Sequence, residues 1–543
     1  MQKPAAFLFA LFIFLSTNAQ LPTNQRPKIV VGVVVDQMRW DFLYRYYDRY
    51  LENGGFKRLL NKGFSCENTM IPYAPTITAC GHAGIYTGSV PAIHGIIGNG
   101  WWDNKMNTGV YCTQDNNVKT VGSATTQGQM SPVNMLSTSI CDELRLATNF
   151  KSKVIGVALK DRGSILPAGH SANAAYWYDS KTGDWITSTY YMNELPKWVR
   201  DFNAKKLVDK YYAEGWSTLY PVDTYQQSTA DDKPYENKPF GAGINFPYSL
   251  KKLVGTGSYN YISVTPHGNT FTFEMAKTAL TAEQLGKDSV TDFLAISLSS
   301  PDYIGHSFGP NSVEAEDDFL RLDKTLGEFL DFLNKEIGEG QYLLFLSADH
   351  GAAHVPDFLK ENHIPAGNVD VENLYTGLNK LLNDKFGVDE LVPEISNYQV
   401  YINHKLIDSA KLNKKEILQS AIAFCAAYPG MDQAFEPSAV SSVTLNATIK
   451  EMIANGYNAS RSGDIQLLFK PQWIEGFKPG GTTHGVWNPY DAHIPLLWYG
   501  WNVKPGKLHR ETYMTDIAPT IAAMLHIQMP SGCVGHVIEE VIP

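Results

Sequence analysis

Four short runs in this 543-residue chain, 29–35, 154–159, 293–298 and 342–346, are apolar on both faces and rich in branched residues. A strand with one face in water alternates apolar and polar residues. A run without that alternation is covered on both sides, as in a parallel sheet sandwiched between helices. Runs 465–469 and 494–498 are further candidates for such strands. Helix-period stretches lie between them. One covers 314–332, with Phe319, Leu322, Leu326, Phe329 and Leu330 on its apolar face; another starts near Asp516, with Thr515 or Asp516 as N-cap. The expected fold is therefore α/β, a mostly parallel central sheet with helices on both faces. Two regions break the rhythm. Residues 163–285 are rich in Tyr, Trp, Asn, Gly and Pro, and residues 356–470 include a helical stretch, 414–427, with Asn413 as its N-cap. Both read as insertions or cap regions within one domain spanning 20–543.

The first residues belong to no fold. Lys3 is the only charge before Arg26, the run 5–15 is wholly apolar, and Ser16, Thr17, Asn18 and Ala19 come next. The run is too short to span a bilayer and has the length of a signal-peptide core, so cleavage after Ala19 and a periplasmic or secreted location are expected. No later segment is long and apolar enough for a membrane span. A formal net charge of −10 gives no electrostatic reason to expect a nucleic-acid partner. The six cysteines are sparse and form no C-x-x-C pair, so sequence alone does not pair them.

The residues just after each strand carry the chemistry. Run 29–35 ends in Asp36, and 154–159 in Lys160-Asp161-Arg162. Run 293–298 leads to Asp302 and His306, and 342–346 to Asp349-His350. In open α/β sheets, ligands bind beyond the carboxyl ends of the strands. A single aspartate there is usually a turn or cap residue. Four strand ends delivering acids, two histidines and two cations to one edge are more than caps. Carboxylate and imidazole together suit zinc. The i, i+4 spacing of Asp302 and His306 lets both reach one ion, and Asp349-His350 can serve one or two. His484, in Gly480-Gly-Thr-Thr-His484-Gly485, is left open by spacing alone, between an incidental loop histidine and a site residue. His354 and His493 read as structural. Lys160 and Arg162 lie two apart at a strand end, so an extended chain would point both the same way.

The ordered set Asp36, Pro75-Thr-Ile-Thr78, Gly98-Asn99, Asp302-x-x-x-His306, Asp349-His350-Gly351, His484-Gly485 and Thr515-Asp-Ile-Ala-Pro-Thr520 resembles the alkaline phosphatase superfamily. With Lys160 and Arg162 added, it is similar to the phosphate-insensitive periplasmic alkaline phosphatases. The resemblance covers nearly the whole chain after residue 19. It implies two zinc ions, one held by Asp302, His306 and His484, the other by Asp36, Asp349 and His350. It also implies Thr78 as a metal-activated nucleophile, with Thr76 as the fallback, and a covalent phosphothreonine that is then hydrolysed. Asn99, Lys160 and Arg162 would hold the phosphoryl oxygens. No ligand set for a third metal is evident, and Lys160 could supply fixed positive charge in its place.

The Lys/Arg pair separates the subclasses. A monoester presents three non-bridging oxygens with nearly two charges, and its loose transition state rewards surrounding cations. A diester presents fewer. The expected activity is thus broad-specificity hydrolysis of small phosphate monoesters. The alternatives are a phosphodiesterase of the nucleotide pyrophosphatase type and, as a different class, a zinc-containing phosphoester-binding protein without turnover. A sulfatase is disfavoured because Cys80 is followed by Gly-His-Ala-Gly and not by the C-x-P-S-R pattern.

Overall fold

The computed structural model describes residues 26–542 apart from 242, 244 and 477–479. The apolar run 5–15 and the Ala19 cleavage point lie outside the described residues. Five strands form the parallel centre of the main sheet, in the order Tyr342–Ser347, Ile29–Val35, Asp292–Leu298, Val154–Ala158, Ala174–Asp179. The first four hold the runs read from the sequence, and every residue in them is buried. Such strands are so tightly sandwiched that Gly32 has no room for a side chain: a Cβ there would lie 2.4 Å from Tyr86 Oη and 2.6 Å from Phe345 Cζ.

The run 494–498 is a strand of the same sheet but not a parallel one. It lies within His493–Gly500, antiparallel to both Tyr342–Ser347 and Phe64–Met70. The run Ile465–Phe469 belongs to a separate four-stranded antiparallel sheet with Glu394–Ser396, Gln399–Tyr401 and Met431–Phe435. An apolar run records burial on two faces but not chain direction, so both were open to this correction. The second sheet packs with helices Val371–Phe386 and Lys414–Ala426 around a core of its own that includes Leu374, Leu378, Val400, Ile417 and Ile465. Asn413 caps the second of these helices, its Oδ1 accepting from the Lys415 and Glu416 N–H groups. The aromatic stretch after residue 163 starts by widening the main sheet: Ala174–Asp179 pairs with Val154–Ala158, and Asp184–Ser188 turns back antiparallel.

Helices cover both faces. Val313–Glu336, capped by Ser312 Oγ on Ala315 N–H, buries Phe319, Leu322, Leu326, Phe329 and Leu330, each contributing roughly 1.5–3 kcal/mol of apolar burial. Thr78–Thr87, buried along its whole length, packs against Asp161–Ala168. Asp516 precedes the helix Ile517–Leu525, but its carboxylate accepts from the N–H groups of Tyr513 and His536 and does not cap that helix. All six cysteines are free thiols. No helix among the described residues is long and apolar enough to cross a membrane.

Candidate active site

The carboxyl ends of the parallel strands bring Asp36, Lys160, Asp302, Asp349 and His350 together. Lys160 follows Val154–Ala158 and is the N-cap residue of helix Asp161–Ala168, so Arg162 lies in that helix and not on an extended chain. The strand argument for a shared direction therefore fails. The Lys160 ammonium is buried, 2.7 Å from Asp36 Oδ2 and 2.5 Å from Asp302 Oδ2, with the Tyr303 ring 4.9 Å away. Arg162 Nη1 donates to Tyr111 Oη at 3.0 Å. The Tyr111 hydroxyl donates in turn to Asp161 Oδ1 at 2.9 Å, and Thr113 closes on Asp161 Oδ2. Neither cation is a solvated surface charge.

The three histidines are posed alike. His306 Nδ1 donates to the Thr482 carbonyl at 2.8 Å, His350 Nδ1 to that of Gly351 at 3.0 Å, and His484 Nδ1 to that of Thr76 at 2.7 Å. A carbonyl can only accept, so each Nδ1 carries a proton, which leaves Nε2 as the atom turned to the site, the usual arrangement of a metal-binding imidazole. His306 Nε2 is 3.1 Å and His484 Nε2 3.6 Å from Asp302 Oδ1. His350 Nε2 is 3.5 Å from Asp36 Oδ1, 3.4 Å from Asp349 Oδ2 and 3.3 Å from Thr78 Oγ1. The loop that carried His484 ambiguously in sequence thus delivers it to the centre, stacked on His350 at 3.5 Å.

Two tight donor groups result. Asp302, His306 and His484 form one, as the resemblance implied. The other tight group is Asp36, Asp302 and His350. Asp349, in the set that the resemblance implies, also lies at His350, its Oδ2 3.4 Å from Nε2, while its Oδ1 accepts from the N–H groups of Gln37 and His350. Asp36 Oδ1 and Asp349 Oδ2 are buried and make no hydrogen bond. Three buried carboxylates thus face a single ammonium, and orphaned acceptors point at imidazole nitrogens. This imbalance is what divalent cations would offset, and the N/O donor set fits zinc. The electrostatics agree. Burial and the Asp349 charge push the Asp36 carboxyl well above its usual range. Burial also opposes ionisation of Asp302, yet His306 and Lys160 hold it well below. Burial keeps His350 and His484 below the ordinary histidine range and therefore neutral.

Thr78 is the first residue of its helix, with Ile77 as the N-cap residue, so neither threonine of the motif caps it. Thr76 Oγ1 is occupied, donating to the Val486 carbonyl at 2.9 Å. Asn99 leads into the short strand Gly100–Asp103 and accepts from Ala79 N–H through Oδ1 at 3.1 Å, which leaves its amide N–H groups free beside the helix start. The helix is driven hard against the strand end. A Cβ at Gly81 would lie 2.3 Å from the Asp349 carbonyl oxygen, so glycine at this place lets Thr78 approach His350.

Sequence reasoning passed over four contributors. Gln37, in a left-handed conformation, bridges two strands through Nε2 to Asp302 Oδ1 at 2.7 Å and N–H to Asp349 Oδ1. His82 donates from Nδ1 to the Thr78 carbonyl at 2.8 Å and accepts from Ser297 Oγ at 2.8 Å; its i+4 spacing from Thr78 on a helix was the available signal. Tyr111 and Tyr303 hold the cations, and nothing in their local sequence marks them. His354 and His493 are structural, bonded to Asn311 and to the Glu67 carbonyl.

Comparison with known proteins gives the chain's relatives. The family model for type I phosphodiesterase / nucleotide pyrophosphatase matches residues 30–491. A Myroides odoratus protein named calcium-transporting ATPase is 55% identical over 95% of each chain. Alkaline phosphatase PhoV of Synechococcus elongatus is 54% identical over 96% of this chain and 94% of its own. Alkaline phosphatase PafA of Elizabethkingia meningoseptica is 46% identical over the full length of both. The crystal structure of wild-type PafA superposes with a TM-score of 0.93, at 47% identity, covering 95% of this chain and 99% of that one.

Proposed function

This chain belongs to the type I phosphodiesterase / nucleotide pyrophosphatase family within the alkaline phosphatase superfamily, and from that premise we propose that it hydrolyses phosphate monoesters through Thr78 beside two zinc ions. The observation that carries the monoester reading is the pairing of buried Lys160 with half-buried Arg162 at the start of the helix Asp161–Ala168, which packs against the Thr78–Thr87 helix. Lys160 uses two of its three N–H donors on Asp36 and Asp302 and keeps one for a phosphoryl oxygen. Arg162, fixed through one nitrogen by Tyr111, retains the rest of its fork. Two fixed cations suit the dianionic phosphoryl group of a monoester better than a diester.

In this reading Asp302, His306 and His484 hold one zinc, and Asp36, Asp349 and His350 the other. Bound zinc supplies Lewis acidity and the positive charge that makes a threonine hydroxyl a competent nucleophile. The chain supplies the rest. The Thr78–Thr87 helix start points Thr78 Oγ1 at the site and offers backbone N–H groups to the phosphoryl oxygens. Asn99, Lys160 and Arg162 hold those oxygens in line for attack. Thr78 then carries the phosphoryl group until water removes it. Gln37 and His82 keep Asp302, Asp349 and the Thr78 turn in place. The recognised part is the phosphoryl group, so specificity for the alcohol is broad. The ATPase name of the Myroides relative is compatible, because a terminal phosphoryl group on a nucleotide presents the same oxygens. We also read the apolar run 5–15 as an export signal, which places the enzyme outside the cytoplasm.

The test is kcat/KM for one aryl leaving group as phosphate monoester, phosphate diester and sulfate ester, with zinc counted per chain by elemental analysis. The monoester leads by several decades with two zinc ions bound. A leading diester would return the chain to the diesterase reading that its family model also spans.

A further inference from the structure

The turn that carries His484 is held from two sides. Thr76 serves its carbonyl groups: Thr76 N–H donates to the Gly485 carbonyl at 3.4 Å, and Thr76 Oγ1 to that of Val486 at 2.9 Å. Asp491 serves its N–H groups. Asp491 Oδ2 accepts from Gly485 N–H at 2.9 Å and from Val486 N–H at 3.0 Å. Asp491 is fully buried and lies in the short helix Pro489–Ala492, which leads into the strand His493–Gly500. The same residue reaches the other histidine turn through its backbone. Its carbonyl accepts from Gly351 N–H at 2.7 Å, and the Tyr490 carbonyl accepts from Ala352 N–H at 3.0 Å. The approach is close: a Cβ at Gly351 would lie 2.2 Å from the Tyr490 carbonyl oxygen.

One residue therefore fastens the turns after His350 and after His484, whose rings stack at 3.5 Å. Gly485 and Val486 are buried, and a buried N–H without an acceptor is costly. Two such donors sharing one carboxylate oxygen fix the direction of the chain just after His484. Tyr398 Oη closes the turn from another side, donating to the His484 carbonyl at 2.8 Å. The ring itself is tied through Nδ1 to the Thr76 carbonyl, so its aim follows from the backbone that carries it. A carboxyl group is an expensive choice for this place, because Asp491 Oδ1 is buried without a hydrogen bond. An apolar side chain would avoid that cost but strand both N–H groups of the turn. The side chain is thus kept for the turn that bears His484.

We propose that Asp491 is a positioning residue, a clip that presets the His484 turn for its metal before the metal binds. The inference rests on the zinc reading above. The Asp491 side chain acts on the His484 turn and its backbone carbonyl on the Gly351 turn, so substitution separates the two. Removing the carboxyl group loosens the set Asp302, His306 and His484, while His350 keeps the backbone bond that seats it. Hydrogen-bond partners standing behind metal ligands are worth about 10–100-fold in metal affinity.

The experiment compares wild type, Asp491→Ala and Asp491→Asn. Zinc per chain is counted during exposure to a chelator well below the unfolding temperature, and hydrogen exchange of segments 480–490 and 342–352 is followed with zinc bound and after its removal. In metal-free wild type the amides of 485 and 486 are protected. In Asp491→Ala they exchange about tenfold faster or more, the scale of losing one protecting bond, and segment 342–352 is unchanged. This variant gives up one zinc about 10–100-fold faster than wild type and keeps the other. Asparagine, whose side-chain oxygen can accept from both N–H groups, restores protection and retention. An alanine variant that matches wild type would overturn the proposal. So would loss of both zinc ions together with faster exchange at 342–352, which would make Asp491 a support of the fold at large, or an asparagine variant no better than alanine. Should Asp491→Ala not fold, free exchange at 485 and 486 in metal-free wild type sinks the clip. A wild type that binds no zinc refutes the zinc reading instead, and exchange in the metal-free chain still judges the clip.

Discussion

The Lys160 ammonium lies 2.7 Å from Asp36 Oδ2, both side chains withdrawn from solvent, and the same nitrogen reaches Asp302. One lysine therefore links a carboxylate from each of the two donor groups. Burial disfavours the ammonium, but Asp302 and Asp36 reverse that and hold Lys160 protonated above its usual range. Lys160→Ala leaves the carboxylates facing one another and removes a cation from the phosphoryl site. We expect kcat/KM for an aryl phosphate monoester to fall by about 10²–10³-fold, the scale of losing one preorganised charge donor. The diester rate should fall much less, so the ratio of the two, measured on the same preparation, reports the role. An equal loss on both substrates would point to general damage at the metal ligands.

Thr78 and Thr76 differ in what their hydroxyls do, and this separates nucleophile from scaffold. Thr78 Oγ1 faces His350 Nε2, whereas Thr76 Oγ1 is committed to the Val486 carbonyl. Thr78→Ala should abolish turnover, and Thr78→Ser should retain part of it. Thr76→Val, close to isosteric, should lose one buried hydrogen bond, about 1 kcal/mol of stability, and keep its chemistry. Acid quench of enzyme with labelled monoester, followed by peptide mapping, should find the phosphoryl group on residue 78 in wild type and in Thr76→Val.

Much of this site was legible because its residues sit at strand ends, where a change from apolar run to Asp, Lys or His is local in sequence. Asp36, Lys160 and Asp349-His350 were readable on that ground alone. Less was legible where the information is nonlocal. Tyr111 reaches Arg162 from a hairpin 51 residues away, and no local pattern marks it. Which imidazole each carboxylate meets is nonlocal too: Asp302 Oδ1 lies beside His306 and His484, and Asp349 Oδ2 beside His350, contacts that sequence order does not encode. The direction of the strand His493–Gly500 was unreadable for the same reason: hydrophobic periodicity reports which faces are buried, not which neighbour pairs.

Tyr111 gives that nonlocal contact a measurable value. Its hydroxyl accepts from Arg162 and donates to Asp161, so Tyr111→Phe frees the guanidinium and leaves one oxygen of Asp161 without its donor. A loss of about tenfold in monoester kcat/KM corresponds to roughly 1.4 kcal/mol, the range of a hydrogen bond to a charged group. Because Tyr111 acts through Arg162, the effect should largely vanish in an Arg162→Ala background. Full additivity in that double-mutant cycle would show that Tyr111 acts elsewhere.

Away from the site, Asp142 and His170 offer a test of stability against pH. Asp142 caps its own helix from the N3 position and accepts from Ser139, Ser171 and His170, 3.3 Å away. Burial alone would raise its carboxyl, but the bond to His170 and those to Ser139 and Ser171 bring it down to about 2. Burial likewise opposes the charge on His170, and Asp142 raises it above the usual histidine value. The signs run opposite ways. The carboxylate's contribution is present above the unfolded aspartate range and is lost as pH falls towards 2. The imidazolium's is present below the unfolded histidine range and is lost as pH rises through its higher folded value. The pair therefore stabilises most in the interval between the unfolded aspartate and histidine values, at mildly acid pH. Wild type and His170→Asn should differ most in Tm there and converge above the folded histidine value. A Tm difference that does not change with pH would mean that His170 works by packing and by its bond to the Met135 carbonyl, with no contribution from its charge.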